Sequence, residues 1–204
     1  MANPWDPGRI RGLVELALSL GAGPSEILSA MAEGMEEVGR RFEEGEYFLA
    51  DLVMAAEAFN LGLRALKPRL EAEGLSKPIG RVVIGTVEGD IHDVGKNMVA
   101  AMLSSAGFEV IDLGANVPID DFVEAAARDG ADIVAMSALL DSNMWNMKAV
   151  IERLRERGLR DRVKVIIGGA PTNERFAMEI GADAYGRDAV EAVRKCKELL
   201  GWRT

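Results

Sequence analysis

The sequence predicts an α/β protein in two parts, an N-terminal helical bundle followed by a five-stranded, parallel, doubly wound sheet. Three observations carry that expectation. The first third holds only helix-period apolar patterns, a polar Gly/Pro segment follows, and the remainder alternates short β-branched runs with helical patterns five times.

In the first third, Asp6 before Pro7 offers an N-cap and a first-turn proline, and Ile10, Leu13, Val14 and Ala17 recur at helical spacing until GAGP ends the helix. Ile27, Leu28, Met31, Met35, Val38 and Phe42 share one face of a second helix that stops at EEGE. A third runs from Phe48 to Leu66 on a stripe that includes Leu49, Leu52, Ala56, Phe59 and Leu63, and Pro68 is expected to disturb it. Such stretches are not stable alone and should bury their apolar faces together as a small antiparallel bundle. Over 71–80 the chain reads EAEGLSKPIG, without periodicity. The expected division is a helical domain at 1–73, a linker at 74–80 and an α/β domain at 81–204.

In the second part, strands are expected at 81–87, 108–113, 132–138, 163–167 and 184–186, and helices at 96–106, 120–129, 143–157, 173–180 and 188–200. Five β–α pairs imply helices on both faces of a parallel sheet. In such a sheet of order 2-1-3-4-5, ligands sit beyond the carboxyl ends of the strands, near strands one, three and four. Those exits read EGDIHDVG, SALLDSN and GGAPTN, and they hold the unusual residues of the chain.

Composition narrows the function. Of the 204 residues 49% are apolar and 28% charged, as in ordinary folded domains. No apolar run reaches the ~18 residues of a membrane span, and MANPWDPGRI lacks the features of a signal peptide, so a cytoplasmic protein is expected, with no membrane partner. A single cysteine, Cys196, allows no intramolecular disulfide and no thiolate cluster. The net charge of −9 argues against nucleic acid, and the basic stretches at 153–162 and 194–197 are interleaved with Glu as on solvated helix faces.

His92 is the one histidine of the chain. Beside Asp90 and Asp93 it could be a general base, a metal ligand or a solvated surface residue. A zinc site needs three or four protein ligands, which one His without suitable Cys does not supply. A Ser–His–Asp hydrolase lacks its G-x-S-x-G elbow here. A single histidine can ligate a metal that arrives inside a macrocycle.

Spacing adds to this. Asp90-Ile-His92-Asp93-Val-Gly95 is followed after 41 residues by Ser137-Ala-Leu139, and after a further 28 by Gly168-Gly169. Upstream stand Phe42-Glu-Glu-Gly-Glu-Tyr-Phe48-Leu49 and then Ala-Asp-Leu52-Val-Met-Ala-Ala. Together these resemble the cobalamin-binding module, with its helical cap, of methionine synthase and the corrinoid methyl-carrier proteins.

The resemblance implies a helical cap before a flavodoxin-like (Rossmann-like) cobalamin-binding domain. It implies cobalamin, as methylcobalamin or a related corrinoid, bound base-off with His92 as the lower ligand of cobalt. Asp90 would accept the other ring N–H, and Asp93 and Gly95 complete the motif, Gly95 leaving room beside the backbone. Ser137 and Leu139 would line a slot for the displaced nucleotide tail, with Gly168 and Gly169 at its far end. Phe42, Leu49 and Leu52 match cap residues that cover the methyl-bearing face, and each can also be ordinary bundle core. There are two departures: Asn143 stands where the family has Ser or Thr, and it cannot relay a proton as a hydroxyl does. Ala50 stands where Pro is common.

The function so implied is a methyl carrier, in which cobalt(I) takes a methyl group from one partner's donor and gives it up at another. Its partners would be a donor-specific methyltransferase, an acceptor methyltransferase using tetrahydrofolate or a thiol, and a reductive activator of oxidised corrinoid. The cap would swing on the linker at 74–78 to admit them. Alternatives are a cobalamin-binding mutase subunit, which the cap disfavours, a cobalamin-sensing regulator, for which a basic DNA-binding segment is missing, and a phospho-receiver, whose strand-end Asp and Lys are missing.

Overall fold

The computed structural model describes residues 7–73 and 78–202, so the expected N-cap at Asp6 and most of the 74–80 linker lie outside the described residues. Two compact units divide the chain, the second beginning at Ile79.

The first unit comprises α1 (Pro7–Ser19), α2 (Pro24–Glu43) and α3 (Leu49–Ala72). Helix α2 starts on Pro24, and the N–H of Gly23 is satisfied by Glu26 Oε2 at 2.8 Å. Helix α3 opens with Asp51 Oδ2 accepting from the Phe48 N–H at 2.9 Å. Contrary to expectation, α3 runs through Pro68 to Ala72. The proline removes one N–H from the ladder, but Leu66 and Leu70, on either side of it, are buried with Val14 and Ile27. Burial at about 25 cal/mol per Å² makes two such anchors worth more than one lost hydrogen bond.

The second unit alternates β1 (Arg81–Thr86), α4 (Val94–Ser105), β2 (Glu109–Asp112), α5 (Ile119–Asp129), β3 (Ile133–Ser137), α6 (Trp145–Glu156), β4 (Lys164–Gly168), α7 (Glu174–Ile180), β5 (Ala184–Gly186) and α8 (Ala189–Leu199). The sheet order is β2-β1-β3-β4-β5 with every pair parallel, as the sequence predicts. Register explains why the strands read as continuous apolar runs. Val83, Val134 and Val165 align across β1, β3 and β4 and join the core beneath α5, α6 and α7, where Phe122, Val150, Ile151 and Leu154 are buried. On the opposite face Ile84, Ala135 and Ile166 align, and they line a cavity whose other wall is α4 and α8. Buried Cys196 lies on that wall, its thiol pushed up to about 12 by burial.

Boundaries shift for local reasons. Asn173 and Asp188, expected inside helices, are N-caps whose side chains accept from the N–H groups of Phe176 and Glu191. Helix α6 begins at Trp145 because residues 141–144 form a turn. Val87 leaves the sheet after β1 and makes a single parallel bridge to Val117. Among the described residues no helix is long and apolar enough to cross a membrane.

The order β1-β3-β4 places the three unusual loops side by side, and Gly169 presses two of them together. Its φ is +110°, and a Cβ there would stand 1.9 Å from the carbonyl oxygen of Ala138. Both the backbone conformation and the contact exclude a side chain. Gly169→Ala should therefore lower the stability of the second unit by more than ~3 kcal/mol in chemical unfolding, against ~1–2 kcal/mol for Gly158→Ala, where φ is +67° but a Cβ would meet nothing within 4 Å.

Candidate functional site

The site is built from the backbone at the end of β1. Thr86, fully buried, has its N–H on the Gly114 carbonyl and its carbonyl on the Val117 N–H, which leaves its hydroxyl to donate to the His92 carbonyl at 3.0 Å. The loop then turns through Gly89, at φ +82°, and the Asp90 N–H returns to the Val87 carbonyl at 3.1 Å. Helix α4 starts at Val94, with the Asn97 N–H on the Asp93 carbonyl at 2.7 Å.

Asp90 is 0% exposed and gathers four donors. Its Oδ1 accepts from the His92 N–H at 2.9 Å and contacts His92 Nδ1 at 2.7 Å, and its Oδ2 accepts from the N–H groups of Leu139 at 2.6 Å and Leu140 at 3.2 Å. Burial pushes the carboxyl up, but the Leu139 N–H, the His92 N–H, the His92 ring and the Leu140 N–H together outweigh it and hold Asp90 below its ordinary value. An ionised Asp90 can only accept, so Nδ1 carries the proton and Nε2 is left with a free lone pair. The His92 side chain is 48% exposed, and that lone pair is available at the surface.

Exposed apolar side chains lie near in sequence on the same two strand exits: Ile91, Val94, Leu139 and Leu140. Below them a cavity of about 220 Å³ runs between the sheet and α4 and α8. Gly95, Ser137, Gly168 and Gly169 all line it. A Cβ on Gly95 would meet no protein atom within 4 Å, and one on Gly168 would crowd the Gly186 carbonyl at 2.9 Å. Lys96, buried at the cavity wall, is held by both oxygens of Asp112 and by Asn97 Oδ1, each at 2.6 Å.

The structure thus brings together His92, Asp90, Gly95, Ser137, Gly168 and Gly169. Leu139 belongs to the same cluster in a different way from that expected: it does not line the cavity, and its main chain holds Asp90. Asp93 contributes its carbonyl to the start of α4. Asn143 accepts from the Ser142 hydroxyl at 2.8 Å and lies against Gly89, where a Cβ would be 3.0 Å from its Nδ2. The place a third relay member would take on Asp90 is filled by main-chain N–H groups instead. In the helical unit Leu52 is fully buried, Phe42 is half-buried and Leu49 is 45% exposed.

Sequence reasoning missed Thr86, Asn116 and Asn146. Asn146 donates to the Glu88 carbonyl at 2.8 Å, and Asn116 accepts from the Gly89 N–H at 2.7 Å. The one available signal was Asn116 itself, in a Gly-Ala-Asn-Val-Pro loop, because Asn tolerates the left-handed conformation.

A B12 binding domain family matches residues 80–194, and a second B12 binding domain family matches residues 5–67. The chain is 51% identical over 178 residues to the dimethylamine corrinoid protein of Methanosarcina barkeri, covering 87% of this chain and 84% of that one. It is 46% identical to trimethylamine corrinoid protein 1 of Methanosarcina acetivorans, covering 92% and 88%. Among solved structures, a cobalamin-binding protein of Desulfitobacterium hafniense is similar with a TM-score of 0.81 at 36% identity, covering 96% of this chain and 93% of that one. The methanol:cobalamin methyltransferase complex of Methanosarcina barkeri contains a chain similar with a TM-score of 0.84 at 29% identity, covering 98% and 76%.

The residues present fit a corrinoid. One surface imidazole has its Nδ1 fixed, apolar side chains are exposed on the same strand exits, and a cavity lined in part by glycines opens at those exits. Among the described residues no cluster of three or more His, Cys, Asp and Glu could hold a metal ion. On this geometry and these relationships, the chain belongs to the cobalamin-binding corrinoid protein family.

Proposed function

We propose that the chain carries methyl groups on a cobalamin bound base-off, with His92 as the lower ligand, in a methyltransferase system that uses a methylamine. The observation that supports it most is the exposed Nε2 of His92 above a buried Asp90. The names of the dimethylamine and trimethylamine corrinoid proteins, at 51% and 46% identity, favour a methylamine over methanol as donor. The proposed partners are a donor-specific methyltransferase, an acceptor methyltransferase and a reductive activator, all in the cytoplasm.

When bound, the cobalt supplies the nucleophile that accepts and releases the methyl group. The chain's own residues do the rest. Asp90 fixes the Nδ1–H tautomer of the neutral ring, which leaves the Nε2 lone pair for a ligand. Thr86 and the Leu139 and Leu140 N–H groups stop the pair from turning inward. Asp90 stays ionised, its charge shared among its four donors. The exposed apolar side chains of Ile91, Val94, Leu139 and Leu140 would seat the apolar macrocycle, and the cavity would hold the displaced nucleotide tail.

Apo protein incubated with methylcobalamin and passed through gel filtration should emerge with a stoichiometric, histidine-ligated absorption spectrum. His92→Ala should lose that spectrum and bind roughly 10- to 100-fold more weakly. A histidine-ligated spectrum retained in the variant, or colourless wild type, would contradict the reading.

In Asp90→Asn an amide NH₂ must face one of the donors that the carboxylate accepts, at a cost of about 2–4 kcal/mol at pH 7. Asp90 is depressed in the folded state, so its stabilisation is complete above its ordinary value of 3.8 and is lost as pH falls through the lower folded value. The stability gap between wild type and Asp90→Asn in urea unfolding should therefore shrink as acid protonates Asp90 below pH 3.8.

A further inference from the structure

We propose that Asn116 is a positioning residue for the Asp90–His92 pair, acting through the main chain of Gly89 and Asp90. Asn116 lies in the loop between β2 and α5 and is the one non-glycine residue with positive φ among the described residues, at +53°. It grips the loop before His92 at two points. Its N–H donates to the Asp90 carbonyl at 2.8 Å, and its side-chain Oδ1 accepts from the Gly89 N–H at 2.7 Å. The left-handed conformation turns both groups toward the same stretch of chain, and asparagine is the side chain that adopts it while offering an acceptor.

The residue is exposed, so packing does not account for it. Its own loop is anchored elsewhere: the Val117 N–H bonds the Thr86 carbonyl, the Thr86 N–H bonds the Gly114 carbonyl, and Asp112, which holds Lys96, accepts from the Gly114 N–H at 2.8 Å. The grip therefore passes from a fixed support at the end of β2 to the main chain on either side of the Gly89–Asp90 peptide. Asp90 in turn meets His92 Nδ1 at 2.7 Å, a contact that a displacement of a few tenths of an ångström would weaken. The Leu139 and Leu140 N–H groups hold the far oxygen of Asp90, and Asn116 holds its backbone. Without the second hold, the carboxylate pivots on the first.

The ligand role of His92 rests on the function proposed above, but the first readout needs no cofactor. His92 is the sole histidine, so its ring nitrogens give one assignable pair of ¹⁵N signals, which report the tautomer of the neutral ring. Wild type should be predominantly Nδ1–H, the reverse of the usual preference. Asn116→Gly keeps the left-handed backbone and removes only the acceptor, and it should raise the Nε2–H share relative to Nδ1–H by roughly three- to tenfold. Asn116→Asp keeps both features and should restore the wild-type ratio. On the cobalamin-loaded protein in the cobalt(II) state, the electron paramagnetic resonance spectrum should show histidine nitrogen coupling in wild type and Asn116→Asp, with a reduced coupled fraction in Asn116→Gly.

An unchanged tautomer ratio in Asn116→Gly overturns the proposal, as does an Asn116→Asp protein that behaves like the glycine variant. Wild-type cobalt(II) protein without nitrogen coupling overturns the ligand assignment of His92, and the tautomer ratio then still decides the role of Asn116.

Discussion

A single buried carboxylate holds the site together. Asp90 has no contact with solvent, and it is charged because four donors from two loops converge on it. Remove the charge and one of its two oxygens must turn a donor toward the N–H groups of Leu139 and Leu140 or of His92, in a place water does not reach. The order of the sheet makes this convergence possible, because β1 and β3 are neighbours although α4, β2 and α5 separate them along the chain. A parallel sheet thus turns a long sequence separation into a single hydrogen-bonded junction.

The same junction explains how a protein with one histidine can present it usefully. An exposed imidazole on a loop would sample both tautomers and many orientations. Here the ring's inner nitrogen is committed to Asp90, its backbone carbonyl is committed to Thr86, and the outer nitrogen is what remains. The flanking apolar side chains and the cavity under the loops then define a surface suited to a large, mostly apolar ring carrying a tail. Gly169 closes the arrangement from β4 by allowing the chain to touch Ala138.

Much of this was legible in the sequence. The strands and their parallel order followed from β-branched runs alternating with helical patterns, and the rule about strand exits led directly to Asp90, His92, Ser137 and Gly168-Gly169. What was not legible depends on tertiary context. Pro68 reads as a helix breaker, and only the burial of Leu66 and Leu70 shows why α3 continues. The role of Leu139 is carried by its amide, which every residue type but proline possesses, so its side chain gave no hint. Asn143, at the position where the resembled family has Ser or Thr, lies against Gly89, next to Asp90, and makes none of the four hydrogen bonds to the Asp90 carboxylate. Asn116 grips the main chain of the loop after β1 from the loop after β2, and the Thr86 hydroxyl grips the His92 carbonyl, contacts that residue type alone does not reveal.

A crystal structure of the cobalamin-loaded chain tests the central claim most directly. The account predicts His92 Nε2 within bonding distance of cobalt, the nucleotide tail in the cavity lined by Ser137 and Gly168, and every Asp90 hydrogen bond kept to within about 0.5 Å. A corrinoid with its own base still on cobalt, or an Asp90 carboxylate turned away from His92 and Leu139, would contradict it.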